Sequence, residues 1–269
     1  LKTSAKDKVI DLRKKLIKTL PDYFVIDFVN YSLVWGSIFI CTFLSFVAVG
    51  ANADMAPDFM DKMLSENRPE ADKVRDGSRR PYQVMSLLGV DAGMTVMDIG
   101  AGGGWYTRVL SAAVGSQGKV IAQFGPRALQ RNNGQAQKDV AASLDNTEAY
   151  FENVADYPAN SIDRAITALN IHHNNSERAG PYFQAIFDVL KPGGMVAVID
   201  HIGIEGMENG MMHRMLKSDA RAWIENSGLE IVEDSDLLRT NADDHSRSIS
   251  DPIYARDVDR FIFVARKPG

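Results

Sequence analysis

Cysteine is almost missing from this chain. Cys41 is the only one in 269 residues, which excludes an intrachain disulfide and any thiolate-rich zinc or iron–sulfur site. Metal chemistry would fall to histidine and carboxylate. Basic charge is also scarce after the first 53 residues. The chain carries 30 basic and 35 acidic side chains; seven and four of these precede residue 54, leaving 23 and 31, a net of −8. That balance supplies no basic face for a phosphate backbone, so no nucleic acid is expected as a partner. Internal repeats and low-complexity tracts are absent as well. A composition of 45% hydrophobic and 24% charged residues fits one globular domain with an appendage and rules out a disordered or fibrous chain.

One long apolar run is present. Residues 28–53 hold no charged side chain, and at about 1.5 Å per helical residue they could cross a hydrocarbon core of about 30 Å. Lysines and arginines dominate upstream, while Asp54, Asp58 and Asp61 follow. The positive-inside bias then leaves the remainder of the protein outside the cytoplasm. Ala51-Asn52-Ala53 has the small-x-small form of a secretory cleavage site, so residues 1–53 read as a signal peptide cut before Asp54, or as an uncleaved membrane anchor through 28–53, with a periplasmic or exported body.

Residues 54–90 read as a broken helical segment, a lid before the main domain at 91–269. From there strands and helices alternate. Strands are expected at 94–99, 119–124, 148–152, 165–169, 195–200, 229–234 and 261–265. Helices are expected at 106–114, 128–144 and 182–190, and a last one runs to Asn226 with Ser218 as its N-cap. Lys191-Pro192-Gly193-Gly194 reads as a turn. This order implies an α/β fold, a seven-stranded mostly parallel sheet with helices on both faces, whose ligands bind beyond the carboxyl ends of the strands.

At the first such end stands Asp98-Ile99-Gly100-Ala101-Gly102-Gly103-Gly104-Trp105. Glycines there let the backbone approach a ligand without a Cβ clash and aim helix N-terminal amides at it. A dinucleotide fingerprint wants its third glycine at position 105, where Trp105 stands, so a nicotinamide dehydrogenase fits poorly.

The run from Val96 to Gly104 resembles the first motif of class I S-adenosylmethionine-dependent methyltransferases. Asp156-Tyr157-Pro158-Ala159-Asn160-Ser161-Ile162-Asp163 and Leu190-Lys191-Pro192-Gly193-Gly194 follow in that superfamily's order. Asp200-His201, Ser235-Asp236-Leu237-Leu238-Arg239 and Asp243-Asp244-His245 look more narrowly like exported bacterial predicted methyltransferases. The resemblance implies a Rossmann-like sheet, S-adenosylmethionine as cofactor and methyl transfer to a small-molecule oxygen or nitrogen. It assigns the methionine end of the cofactor to Asp98 and the backbone of Gly100, Ala101, Gly102 and Gly104, and the adenine to Asn153 with Val154, with Glu152 as the competing residue. Asn170, after the fourth strand, joins the cofactor-binding set. The second strand of the superfamily usually ends in an acid that holds the ribose hydroxyls. Here Gln123 stands instead, and an amide loses the charge-assisted strength of a carboxylate. That substitution keeps a second reading open, a non-catalytic binding module of the same fold.

The five histidines, His172, His173, His201, His213 and His245, fall after expected strand ends or in the C-terminal extension. His172, His173 and His201 are the candidate general bases, expected to face a shared acceptor pocket, because an imidazole titrating near 6.5 suits removal of an acceptor proton. Asp200 adjoins His201 in sequence, but strand neighbours point to opposite faces. His172, His201, His213 and Asp200 could gather around zinc, yet no HxxxH spacing marks a site and no metal is assigned. Asp243-Asp244-His245 reads as a solvated loop or as a flap over the pocket. Tyr82, Trp105, Tyr106 and Trp223 suit either an acceptor pocket or the core, with core preferred for Trp223.

Overall fold

In the computed structural model residues 53–255 and 257–269 are described. Except for its last residue, the apolar run read as leader or anchor lies outside them. Among the described residues no helix is long and apolar enough to cross a membrane.

Seven strands form one sheet: β1 (Thr95–Ile99), β2 (Lys119–Gln123), β3 (Thr147–Tyr150), β4 (Ile162–Ala168), β5 (Leu190–His201), β6 (Glu230–Ser235) and β7 (Arg260–Arg266). Their order is β3-β2-β1-β4-β5-β7-β6. The first five pair in parallel, and β7 runs antiparallel to both β5 and β6. This is the mostly parallel Rossmann-like sheet that the alternation implies. Parallel strands covered on both faces must be apolar on both, and β1 is buried from Val96 to Ile99.

Alternation along each strand divides the core in two. Val96, Ile166, Ala197, Ile199 and Ile262 pack on one face with α3 (Pro81–Leu88) and α4 (Trp105–Val114). Met97, Ala165, Val198, Phe261 and Phe263 pack on the other with α6 (Ser176–Val189) and α7 (Lys217–Asn226). The segment read as a lid belongs to the first face. Phe59 and Met63 of α1 (Phe59–Leu64) and Val84, Met85 and Leu88 of α3 are buried against α4. Between them, α2 (Glu70–Arg79) is tied to α4 by Asp72, whose carboxylate pairs with Arg108 at 2.9 Å while its carbonyl accepts the Trp105 indole N–H.

Several boundaries differ from expectation for local reasons. The helix expected at 128–144 is interrupted because Asn132, Asn133 and Gly134 take left-handed φ of 46°, 50° and 67°, so that α5 (Gln135–Ala142) is short. Helix α6 begins at Ser176, ahead of Pro181, because Asn175 caps it by accepting from the Arg178 amide at 3.1 Å. Ser218 is not the N-cap of α7; Leu216 occupies that position without a side-chain cap. The Lys191–Gly194 turn lies within β5, where the β4 pairing register shifts between Ile162 and Arg164.

Candidate active site

The glycine turn closes β1 and opens α4. Gly100, Gly102 and Gly104 have φ of 67°, 54° and 79°, values that only glycine adopts without strain. The turn is crowded from behind: a Cβ on Gly100 would lie 2.6 Å from Nδ2 of Asn170, and one on Gly104 would lie 2.4 Å from Val140. In front it is open. A Cβ on Gly103 meets nothing within 4 Å, and the amides of Gly102 and Gly103 have no acceptor among the described residues. Free amides at a helix N-terminus beside open space fit the carboxylate of an amino-acid-like ligand.

Asp98 lies behind this turn, buried, with Oδ2 accepting from the Thr107 hydroxyl at 2.6 Å. Burial raises its carboxyl to about 6, although the Thr107 hydrogen bonds oppose the rise. Gln123 is also buried, and both ends of its amide are used. Its Oε1 accepts from the Gly100 amide at 3.0 Å, and its Nε2 donates to the Glu152 carbonyl at 2.9 Å. It braces the ends of β1, β2 and β3. A carboxylate could make only the first of these bonds. Asn153 is exposed, donates to Asp156 at 3.0 Å and precedes Val154, which is buried at the start of a short helical turn. Asn170 donates to the Ile99 carbonyl at 2.8 Å and so links the end of β4 to the glycine turn.

Two residues beyond Asn170 the imidazoles gather. Ala168, the last residue of β4, is in register with Ile199 of β5, so the chain leaving β4 passes beside Asp200 and His201, the last two residues of β5. Asp200, fully buried, hydrogen-bonds His172, while Nδ1 of its neighbour His201 lies farther from the same carboxylate, at 3.7 Å. Its Oδ1 lies 2.8 Å from His172 Nδ1 and also accepts the His201 amide, while Oδ2 accepts the His172 amide. A buried carboxylate at Nδ1 fixes the proton there and leaves Nε2 as the acceptor nitrogen. Nδ1 of His213 faces that Nε2 at 3.2 Å, and the His173 ring lies 4.1 Å from that of His172, centroid to centroid. His173 and His213 are exposed. Burial and the neighbouring rings of His172 and His213 lower the His173 pKa below its usual value.

His201 stands apart chemically. It is buried, its Nδ1 lies 3.2 Å from the His213 carbonyl, and desolvation depresses its pKa to about 3. It supports the loop that carries His213 instead of presenting a ring to solvent. Sequence reasoning named His172 and His173 but gave His213 and Asp200 no catalytic role. The usable signal was the common sheet edge at which β4 and β5 end.

The segment read as a solvated loop or a flap, Asp243-Asp244-His245, is anchored by side-chain contacts. Asp243 is a buried partner of Arg214, with N–O distances of 2.8 and 2.9 Å, and His245 Nε2 lies 2.8 Å from Asp259. Trp105 and Tyr106 are core residues, Trp223 is half-buried against the core, and Tyr82 is half exposed.

Residues 96–194 match a family model described as a methyltransferase domain. A demethylmenaquinone methyltransferase of Staphylococcus aureus (strain MRSA252) is 31% identical over 124 residues, 44% of this chain and 47% of its own length. The chain therefore spans about half of that curated relative. A solved SAM dependent methyltransferase from Aquifex aeolicus shares the fold with a TM-score of 0.54 at 20% identity, covering 74% of this chain and 95% of its own. A possible exported protein from Bordetella parapertussis does so with a TM-score of 0.50 at 14% identity, over 73% of this chain and 68% of its own.

Proposed function

We propose that this chain is a class I S-adenosylmethionine-dependent methyltransferase and that it transfers a methyl group from S-adenosylmethionine to an oxygen or nitrogen nucleophile of a small molecule, a reading supported by the methyltransferase-domain match at residues 96–194 and by the shared fold. The observation that carries the reading is the glycine turn, open in front, with free amides at Gly102 and Gly103 and a buried Asp98 behind it. Bound S-adenosylmethionine would supply an electrophilic methyl on a sulfonium.

Gly100 to Gly104 and Asp98 would hold its methionine end, and Asn153 with Val154 its adenine. Gln123 keeps the turn in shape, and a ribose hydroxyl would share an amide that already has two protein partners. Asn170 fixes the distance between the turn and the imidazole cluster. An acceptor entering beside His173 and His213 meets a lone pair on His172 Nε2, directly or through the His213 ring. Asp200 stabilises the imidazolium formed when the acceptor loses its proton. The net −8 charge of residues 54–269 favours a small acceptor over a nucleic acid.

Calorimetric titration of S-adenosylmethionine into the full chain, followed by detection of S-adenosylhomocysteine against an acceptor panel, tests this. Binding with acceptor-dependent product is expected. No binding at millimolar cofactor would sink the proposal. Binding without transfer to any fraction of a cell extract would leave the non-catalytic module, the reading that the doubly occupied Gln123 amide favours. The uncharged run at 28–53 also supports an exported or membrane-anchored body, and Edman sequencing of the native protein decides it. Asp54 at the N-terminus, or a membrane-bound uncleaved chain, is expected; an uncleaved chain in the soluble cytoplasm would overturn it.

A further inference from the structure

We propose that His172, His173 and His213 bind one divalent transition-metal ion of the zinc type, with a coordination position left open toward solvent. Ring nitrogens of these three residues lie within 4.8 Å of one another. The tightest pair, His213 Nδ1 and His172 Nε2, is 3.2 Å apart. Zinc–imidazole bonds of about 2.0–2.1 Å in tetrahedral geometry place ligand nitrogens about 3.3–3.4 Å apart, so this pair already has the separation of two ligands on one ion. His173, being exposed, can turn its ring to close the third side.

The surroundings match what a metal-bound imidazole requires. A ligating histidine usually donates its other N–H to a carboxylate, which fixes the tautomer and strengthens the donor. His172 does this through Asp200 at 2.8 Å, and Asp200 also supplies a buried negative charge beneath a dication. A second group, His172, Asp200 and His201, is equally close in space but a poorer candidate. All three are buried, and both Asp200 oxygens already accept protein N–H groups, so an ion would have no entry from solvent and no unengaged carboxylate oxygen there.

His213 adds an independent observation. It is a non-glycine residue at φ 56°, a strained conformation that persists only where the surroundings enforce it. The enforcement is visible: the Arg214 amide donates to the Asn209 carbonyl at 2.8 Å, and the Met215 amide to the His201 carbonyl at 3.1 Å. This backbone aims the His213 ring at His172 across a break of 41 residues in sequence. Without an ion the same contact is an N–H···N hydrogen bond.

Where an acceptor is concerned the inference rests on the methyltransferase reading. An oxygen or nitrogen donor occupying the open position would lose its proton to water more readily because the ion lowers its pKa. In the metal-loaded protein the His172 lone pair is held by the ion, and in the chelated protein it returns to the general-base role.

The test uses the untagged full chain, stripped with chelator and titrated with zinc alone. One equivalent per chain at micromolar concentration is expected, and cobalt substitution should give the visible absorption of a tetrahedral nitrogen-rich site. His173→Ala and His213→Ala alter exposed rings, so folding should survive, and each should weaken zinc binding at least about tenfold. Asp200→Asn should weaken it by about 10- to 100-fold. Sub-stoichiometric zinc, absence of the cobalt spectrum in the wild-type chain, or unchanged zinc affinity in His213→Ala would each overturn the proposal. Titration of S-adenosylmethionine into the zinc-free chain reports separately on the methyltransferase reading, so either can fail alone.

Discussion

Oδ1 of Asp200 lies 2.8 Å from Nδ1 of His172, and the same carboxylate accepts the backbone amides of both His172 and His201. One buried acid thus sets the tautomer of one imidazole and the backbone that carries two. Asp200→Asn keeps the shape but turns an amide NH₂ toward donors, which reverses the tautomer preference of His172. Turnover should fall by about 10²- to 10⁴-fold with cofactor affinity nearly unchanged. Steady-state kinetics of purified variant and wild type, paired with calorimetric cofactor binding, checks this. Equal turnover would show that the dyad plays no part in proton removal.

Gly100 and Gly103 should respond oppositely to the same added methyl. Gly100→Ala forces alanine to φ 67° and sets its Cβ 2.6 Å from Asn170, so a loss of about 1–3 kcal/mol in urea unfolding is expected. Gly103→Ala meets nothing within 4 Å and should be nearly neutral for stability. If the cofactor fills the space in front of the turn, Gly103→Ala will nonetheless lower its affinity. Unaltered affinity in that variant would move the ligand away from the turn.

Gln123→Glu isolates the brace. The carboxylate retains the bond from Gly100 but places negative charge against the Glu152 carbonyl, which now accepts at 2.9 Å. The free protein should lose about 1–3 kcal/mol of stability at neutral pH. Denaturant midpoints of the two proteins measure it, and a variant more stable than wild type would mean that the amide is not needed there.

Two buried groups give stability opposite pH dependences. Asp98 has its carboxyl raised from 3.8 to about 6 by burial, so above pH 6 the folded state carries a charge it disfavours, a cost of about 3 kcal/mol that disappears as pH falls from 6 toward 3.8. His201 has its pKa lowered from 6.5 to about 3, so the unfolded chain takes up a proton first and stability is lost as pH falls below 6.5, by up to about 5 kcal/mol at pH 3. Asp98→Asn should therefore stabilise the protein more at pH 8 than at pH 4, and His201→Asn should flatten the acid limb between pH 6.5 and 3. Urea midpoints across that range decide both, and parallel curves for variant and wild type would contradict the assignments.

The order of elements, the seven strands and the glycine turn followed from the sequence, because hydrophobic periodicity and glycine at strand ends are local properties. Helix starts were less legible where capping decided them: Asn175 moved α6 ahead of Pro181, and the asparagines at 132 and 133 cut the helix before α5. For the candidate site, the sequence supplied the residue types and the sheet edge, and it placed His172 and His173 on that edge. It could not pair Asp200 with His172, because that contact depends on the register of β4 against β5, nor bring His213 to His172 across 41 residues, because a strained turn held by backbone hydrogen bonds does so. Gln123 shows the same division. Its identity at the end of β2 is a fact of sequence, whereas its use as a brace depends on where the Gly100 amide and the Glu152 carbonyl lie once three strands are packed side by side.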